Sequence, residues 1–188
     1  MNTQSLFGGA ILSPVPSSFV DASQFRQIPD NQEVFVDMNT QQSLIFELLE
    51  QVEAKHTDVA KFHFQQLADD NEATDATVSY VEQLDPKEVS PLLTSDATEL
   101  YILQGTQKVS KFNEKQADNT VEIVMAVIRL IQVETDFVIS INAPIQLANT
   151  SSEREYAQGT NPISIDVVKQ EMLVALKGLE VKDWSLFG

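Results

Sequence analysis

Asp30 and Glu33 stand three residues apart around a turn led by Pro29, just before the extended run Val34–Val36. Proline fixes φ and the Asp-Asn that follows favours a turn, so both carboxylates should be held at the surface. Without any cofactor, fixed surface carboxylates can accept charge-assisted hydrogen bonds from the lysines and arginines of a partner. Asn31 and Gln32 lie between them and belong to the same candidate contact set. Taken alone, such a pair of acids is most often a solvated surface. Asp21 and Arg26, a little upstream, are supporting candidates. For these two, an internal Asp–Arg ion pair that shapes the loop is an equally good explanation.

The remaining chemistry-bearing residues point away from catalysis. His56 and His63 are the two histidines of the chain, are seven apart and are not in an HExxH arrangement, so they read as solvated or packing residues. The cluster Asp69-Asp70-Asn71-Glu72 with Asp75 lacks the central glycine and spaced terminal glutamate of a calcium loop and reads as a solvated loop. Gly8-Gly9 and Gly105 occur without the lysine and hydroxyl of a P-loop, and there is no G-x-G-x-x-G, so the chain itself is not expected to bind nucleotide. No G-x-S-x-G marks a hydrolase elbow. With no cysteine, disulfides, thiolate zinc sites and cysteine nucleophiles are excluded. No catalytic residue, metal or cofactor is expected.

At 188 residues and 20.9 kDa, with 43% apolar residues and ten phenylalanines, the chain suits one globular domain spanning residues 1–188. Its formal charge of −16 would repel phosphate, which argues against nucleic acid and anionic membranes and for a basic protein surface as partner. The plainer alternative is that excess acid only confers solubility. The N-terminus lacks the basic and apolar regions of a secretory signal, and no stretch approaches the roughly 20 apolar residues of a membrane span. An intracellular monomer small enough to enter the nucleus is expected, with the sequon at Asn149 silent.

Several elements must position these residues. Leu6 to Val15 suggests a short strand that Pro14 and Pro16 interrupt, Asp21-Ala22-Ser23 a helical turn, and Val34–Val36 a strand. Gln41 to Lys55 reads as the clearest helix, with Leu44, Ile45, Leu48, Leu49 and Val52 on one stripe. A second helix is expected over Val59 to Leu67, and Thr77–Val81 and Glu99–Val109 read as strands. Asn113–Asn119 reads as a turn-rich connection. Val121–Val133 contains good helix formers but is so β-branched that a long strand is preferred. Phe137–Asn142 alternates as a strand that should stop at Pro144. A polar loop over Gln146 to Pro162 precedes a helix from Ile163 capped by Gly178, and the apolar tail Trp184–Phe187 should be tied down. The fold class is therefore α+β: a sandwich of an antiparallel sheet, about six strands, flanked by amphipathic helices.

The order Phe7-Gly8-Gly9-Ala10, then Val20-Asp21-Ala22-Ser23, Arg26 and Pro29-Asp30-Asn31-Gln32-Glu33-Val34 resembles the Ran guanine nucleotide release factors, the Mog proteins. Weaker likeness continues through Ser43-Leu44-Ile45 with Glu47-Leu48-Leu49-Glu50, Arg129-Leu130, Thr135-Asp136, Asn142-x-Pro144 and Ser185-Leu186-Phe187. Little is recognisable between about Asp58 and Asp96, where a further partner surface has room, and the chain is expected to lack the long leader of some relatives. The resemblance implies an antiparallel sheet flanked by helices. It also implies binding to the small GTPase Ran, release of its guanine nucleotide and a role in nuclear import, in nucleus and cytoplasm. It places Asp30 and Glu33 in the Ran-binding surface, and we expect basic residues near the nucleotide pocket as the counterpart of one or other carboxylate. The alternative is an acidic adaptor or trafficking scaffold without release activity.

Overall fold

The computed structural model describes residues 1–93, 97–110, 118–146 and 163–188. Among these residues ten strands form two antiparallel sheets. The larger has the order β3 (Val20–Asp21), β4 (Gln32–Val36), β5 (Ser43–Glu50), β9 (Thr135–Gln146), β8 (Asp118–Leu130), β7 (Thr98–Ser110) and β6 (Asp75–Leu84). The smaller joins β1 (Asn2–Leu6), β2 (Ile11–Val15) and β10 (Glu180–Val181). The α-helices among the described residues are α1 (Asp58–Asp70), the short α2 (Pro86–Val89) and α3 (Ile165–Lys177).

The central strands β8 and β9 of the large sheet pack into an apolar cluster on each face, which explains the β-branched run in β8. Ile123, Met125 and Val127 pack with Val59, Ala60 and Phe64 of α1. The alternate residues Val124, Ala126 and Ile128 join Val168, Met172 and Leu176 of α3, together with Leu6, Ile11 and Val15 of the small sheet. Period-two alternation thus serves two apolar cores rather than one core and solvent. Gly105 of β7 lies directly beneath Phe64 of α1. A Cβ there would lie 2.6 Å from the Thr77 carbonyl oxygen and 2.7 Å from the Phe64 ring.

The sandwich, the strands at Val34–Val36, Thr77–Val81, Glu99–Val109 and Phe137–Asn142, and both later helices stand where the sequence places them. The long strand at Val121–Val133 also holds, ending in a 3-10 turn at Ile131–Val133. Gly178 caps α3, its N–H donating to the Val174 and Leu176 carbonyls. Three expectations are corrected. Gln41–Lys55 is not a helix: Ser43–Glu50 is a strand paired along its whole length with β9. Leu44, Phe46 and Leu48 face the α3 core, and Leu49, half-buried on the other face, packs against the α1 core. Apolar residues on both faces thus produce the same run as a helical stripe. Pro144 does not stop β9, because it sits opposite a register shift at Thr120/Val121, where a missing N–H is tolerated. Pro14 lies within β2, opposite Thr3, beyond the two residues that β10 pairs. The Asn149 sequon and nearly all of the expected connections at 113–119 and 146–162 lie outside the described residues.

Candidate functional site

The turn carrying the predicted acids joins the 3-10 turn Ala22–Gln24 to β4 and is held from three sides. Gln32 N–H donates to the Pro29 carbonyl at 2.9 Å, closing the turn itself. Asn31 exchanges hydrogen bonds with β5: the Leu48 N–H donates to the Asn31 carbonyl at 2.9 Å, and Asn31 Nδ2 donates to the Leu48 carbonyl at 3.2 Å. Gln32 Nε2 donates to a Glu47 carboxylate oxygen at 2.6 Å, across the register pair Gln32–Glu47.

The two acids have different surroundings. Asp30 is exposed, and its carboxylate makes no hydrogen bond or ion pair among the described residues. Glu33 is half-buried and turns toward the small sheet, where its Oε1 accepts the Phe7 N–H at 2.7 Å. That contact steadies an awkward stretch: Phe7, Gly8 and Gly9 all have positive φ, of 50°, 68° and 96°. Phe7, Gly8, Pro29, Asp30, Leu48 and Leu186 are among the residues lining an open cleft of about 600 Å³ beside the turn.

The supporting pair is not an ion pair. Asp21 accepts the Ser23 N–H at 2.8 Å and caps the Ala22–Gln24 turn, as its position in the sequence suggests. Arg26 is exposed and makes no salt bridge among the described residues. Asp30, Asn31, Gln32 and Glu33 therefore gather in one turn, Asp21 shapes the approach to it, and Arg26 stands apart.

Sequence reasoning missed Glu47, which β5 brings beside Gln32. Reading Ser43–Glu50 as a strand paired to β4 would have placed it there. Leu48 and Leu186 also border a second cleft, of about 760 Å³, which Glu50, Glu53 and Glu134 line and at whose floor Arg129 lies. Arg129 is buried, and Asp136 opposite it in the β8–β9 hairpin receives its Nε–H at 2.8 Å and an Nη2–H at 2.9 Å. Arg129 also donates to the carbonyls of Ala54 at 2.7 Å and Val52 at 2.8 Å. His63 Nε2 lies 2.9 Å from Asp136, which also accepts the Val52 N–H at 3.2 Å. Burial alone would raise the Asp136 pKa, but hydrogen bonds from Arg129, His63 and Val52 outweigh it and hold the carboxyl at about 2. His63 is thus a buried structural residue, in line with the packing role read from its spacing, and the network fixes the link from β5 to α1. Among the described residues no group of three or more His, Asp or Glu side chains is placed to hold a metal.

Residues 4–144 match the model of a family described as Ran-interacting Mog1 protein. The chain belongs to that family. It is 40% identical over 190 residues to a Ran guanine nucleotide release factor of Danio rerio, covering 99% of this chain and 100% of the relative. It is 39% identical over 169 residues to the nuclear import protein mog1 of Schizosaccharomyces pombe, covering 87% of each. The crystal structure of the Ran-binding protein Mog1p of Saccharomyces cerevisiae superposes over 100% of both chains with a TM-score of 0.72 at 29% identity. The Mog1 family resemblance read from the residues around Asp30, and the α+β sandwich it implies, thus hold along the chain.

Proposed function

We propose that this chain binds Ran and promotes release of its guanine nucleotide, supporting nuclear protein import from a distribution between nucleus and cytoplasm. It acts as a monomer through binding, with no covalent step of its own. The observation that carries the reading is the Asp30 carboxylate: exposed, unpaired among the described residues, and mounted on a turn locked to β5. A carboxylate presented in this way is preorganised to receive a lysine or arginine. The formal charge of −16 adds long-range attraction toward a basic surface.

A GTPase holds its nucleotide through a lysine, backbone amides and magnesium on the phosphates. A carboxylate that engages basic residues near that pocket competes with the contacts that stabilise bound nucleotide. Such a contact contributes about 1.5–3 kcal/mol. Linkage requires that nucleotide weaken the factor as much as the factor weakens nucleotide. Asp30 is the direct contact, Asn31 and Gln32 hold the turn beside it, and Glu33 supplies both charge and the anchor to Phe7.

Release of fluorescent guanine nucleotide from Ran tests this. The wild-type chain should accelerate release from Ran, and Asp30→Lys should lose most of that acceleration. Binding without acceleration would support the adaptor reading instead, and absence of binding would defeat the Ran reading.

A further inference from the structure

At the far edge of the large sheet, β6 pairs only with β7 among the described residues. An edge strand turns half of its backbone N–H and C=O groups outward, where another strand can take them up. Edges are commonly guarded by shortness, by proline or by lysine. The ten residues of β6, Asp75–Leu84, contain no lysine, arginine or proline, and Thr77, Val78, Ser79, Tyr80, Glu82 and Gln83 are all exposed. One guard is present: the register shifts between Val78 and Tyr80, so the strand bends at Ser79. Beyond that bulge the ladder is unbroken from Tyr80 opposite Gln104 to Leu84 opposite Leu100. The Tyr80 hydroxyl donates to the Glu82 carboxylate, which stays at this edge, and Asp85 and Glu88 follow on the chain.

We propose that the Tyr80–Leu84 edge docks an extended, lysine- or arginine-bearing segment of a partner protein, added as a further strand beside β6. The outward backbone groups select an extended chain, and alternate side chains of the guest lie against Tyr80 and Glu82. The sign of the guest follows from charge: β6 carries acids and no base, on a chain of net charge −16. The same charge disfavours a second copy of this chain, whose pairing would set like acids across the new ladder. Strand order puts β6 at the opposite edge from β3 and β4, so this surface is separate from the acidic turn.

The test titrates the isotope-labelled full chain with a short peptide alternating lysine and valine, and with a counterpart N-methylated at every residue. The counterpart keeps the charge and loses every backbone donor. Amide shifts should concentrate at Tyr80–Leu84. Affinity should fall about tenfold or more with N-methylation, because the guest loses every backbone donor to the edge. Glu82→Lys, at an exposed position, should weaken the unmodified peptide while leaving acceleration of nucleotide release by Ran unchanged. Equal binding of both peptides, shifts confined to other strands, or no binding would overturn the proposal. So would a concentration-dependent dimer with its contact at β6.

Discussion

The Glu33 carboxylate accepts the Phe7 N–H at 2.7 Å, so one acid of the turn is tied to the fold while Asp30, three residues earlier, faces solvent. Spacing alone makes the two look equivalent. Their surroundings separate a contact that is open to a partner from one that also stabilises the strand-linking turn Phe7–Gly9.

Asp30→Lys should therefore leave thermal stability within experimental error, because nothing inside the described molecule depends on that carboxylate. Ran affinity, measured by calorimetric titration, should fall at least tenfold, in keeping with loss of a charge-assisted contact of about 1.5–3 kcal/mol. Unchanged affinity would remove Asp30 from the interface.

Glu33→Ala should behave differently. It deletes a charge-assisted hydrogen bond to a backbone amide and should lower unfolding free energy in urea by about 1.5–3 kcal/mol. A variant with wild-type stability would show that the Phe7 contact contributes little, leaving Glu33 a surface acid like Asp30.

Asp136→Asn leaves Arg129 buried without its counter-charge and should cost about 3–5 kcal/mol by chemical denaturation. The pH dependence carries a further signature. The folded pKa of about 2 lies below the ordinary carboxylate value of 3.8. This residue's contribution is therefore complete above the unfolded value and disappears as pH falls through the folded one. The acid-unfolding limb between those limits should be shallower in Asp136→Asn.

Glu171 gives the opposite sign. Burial raises its pKa, a hydrogen bond from Gln42 opposes the shift, and nearby Asp37 adds to it. Folding thus favours the protonated form, and its influence on stability becomes less favourable as pH rises through the carboxylate range. Glu171→Gln should remove that decline, so its stability relative to wild type should rise with pH through that range and exceed wild type at neutral pH.

Gly105→Ala tests the approach of α1 to the sheet. The new methyl would meet the Thr77 carbonyl oxygen, which is backbone, as well as the Phe64 ring. Overpacking of this kind costs about 1–3 kcal/mol, and the melting temperature should drop accordingly. A neutral substitution would mean that both α1 and the β6 backbone at Thr77 can shift away without loss.

Much of this arrangement was legible from residue order. The β-branched character of Val121–Leu130 separated strand from helix, although alanine and methionine lay within it. The acidic turn was legible too, because proline and Asp-Asn act locally. Ser43–Glu50 was not: its apolar residues fall on both faces, with Leu44 and Phe46 buried and Ile45 and Leu49 half-buried, so the sequence shows no clean alternation. The pairing with β4 and β9 that makes it a strand is long-range. Glu47 was lost with it, since its proximity to Gln32 exists only in the correct register. The buried network of His63, Arg129 and Asp136 was hidden for a similar reason. Its acid and base face each other across a hairpin, while its histidine arrives from a helix 73 residues away in the chain.

The small sheet has a consequence for the order in which the molecule is completed. β2 is closed on one side by β1 and on the other by Glu180–Val181, while the Lys182 and Asp183 N–H groups both donate to the Ala10 carbonyl. Phe7, which anchors Glu33, sits in the turn between β1 and β2. The acidic turn near the beginning of the chain is therefore braced by a layer that residues near 180 must finish. During synthesis Asp30 leaves the ribosome early, but its setting matures only after those residues emerge. A nascent chain can display the acids of this turn long before it can hold them still.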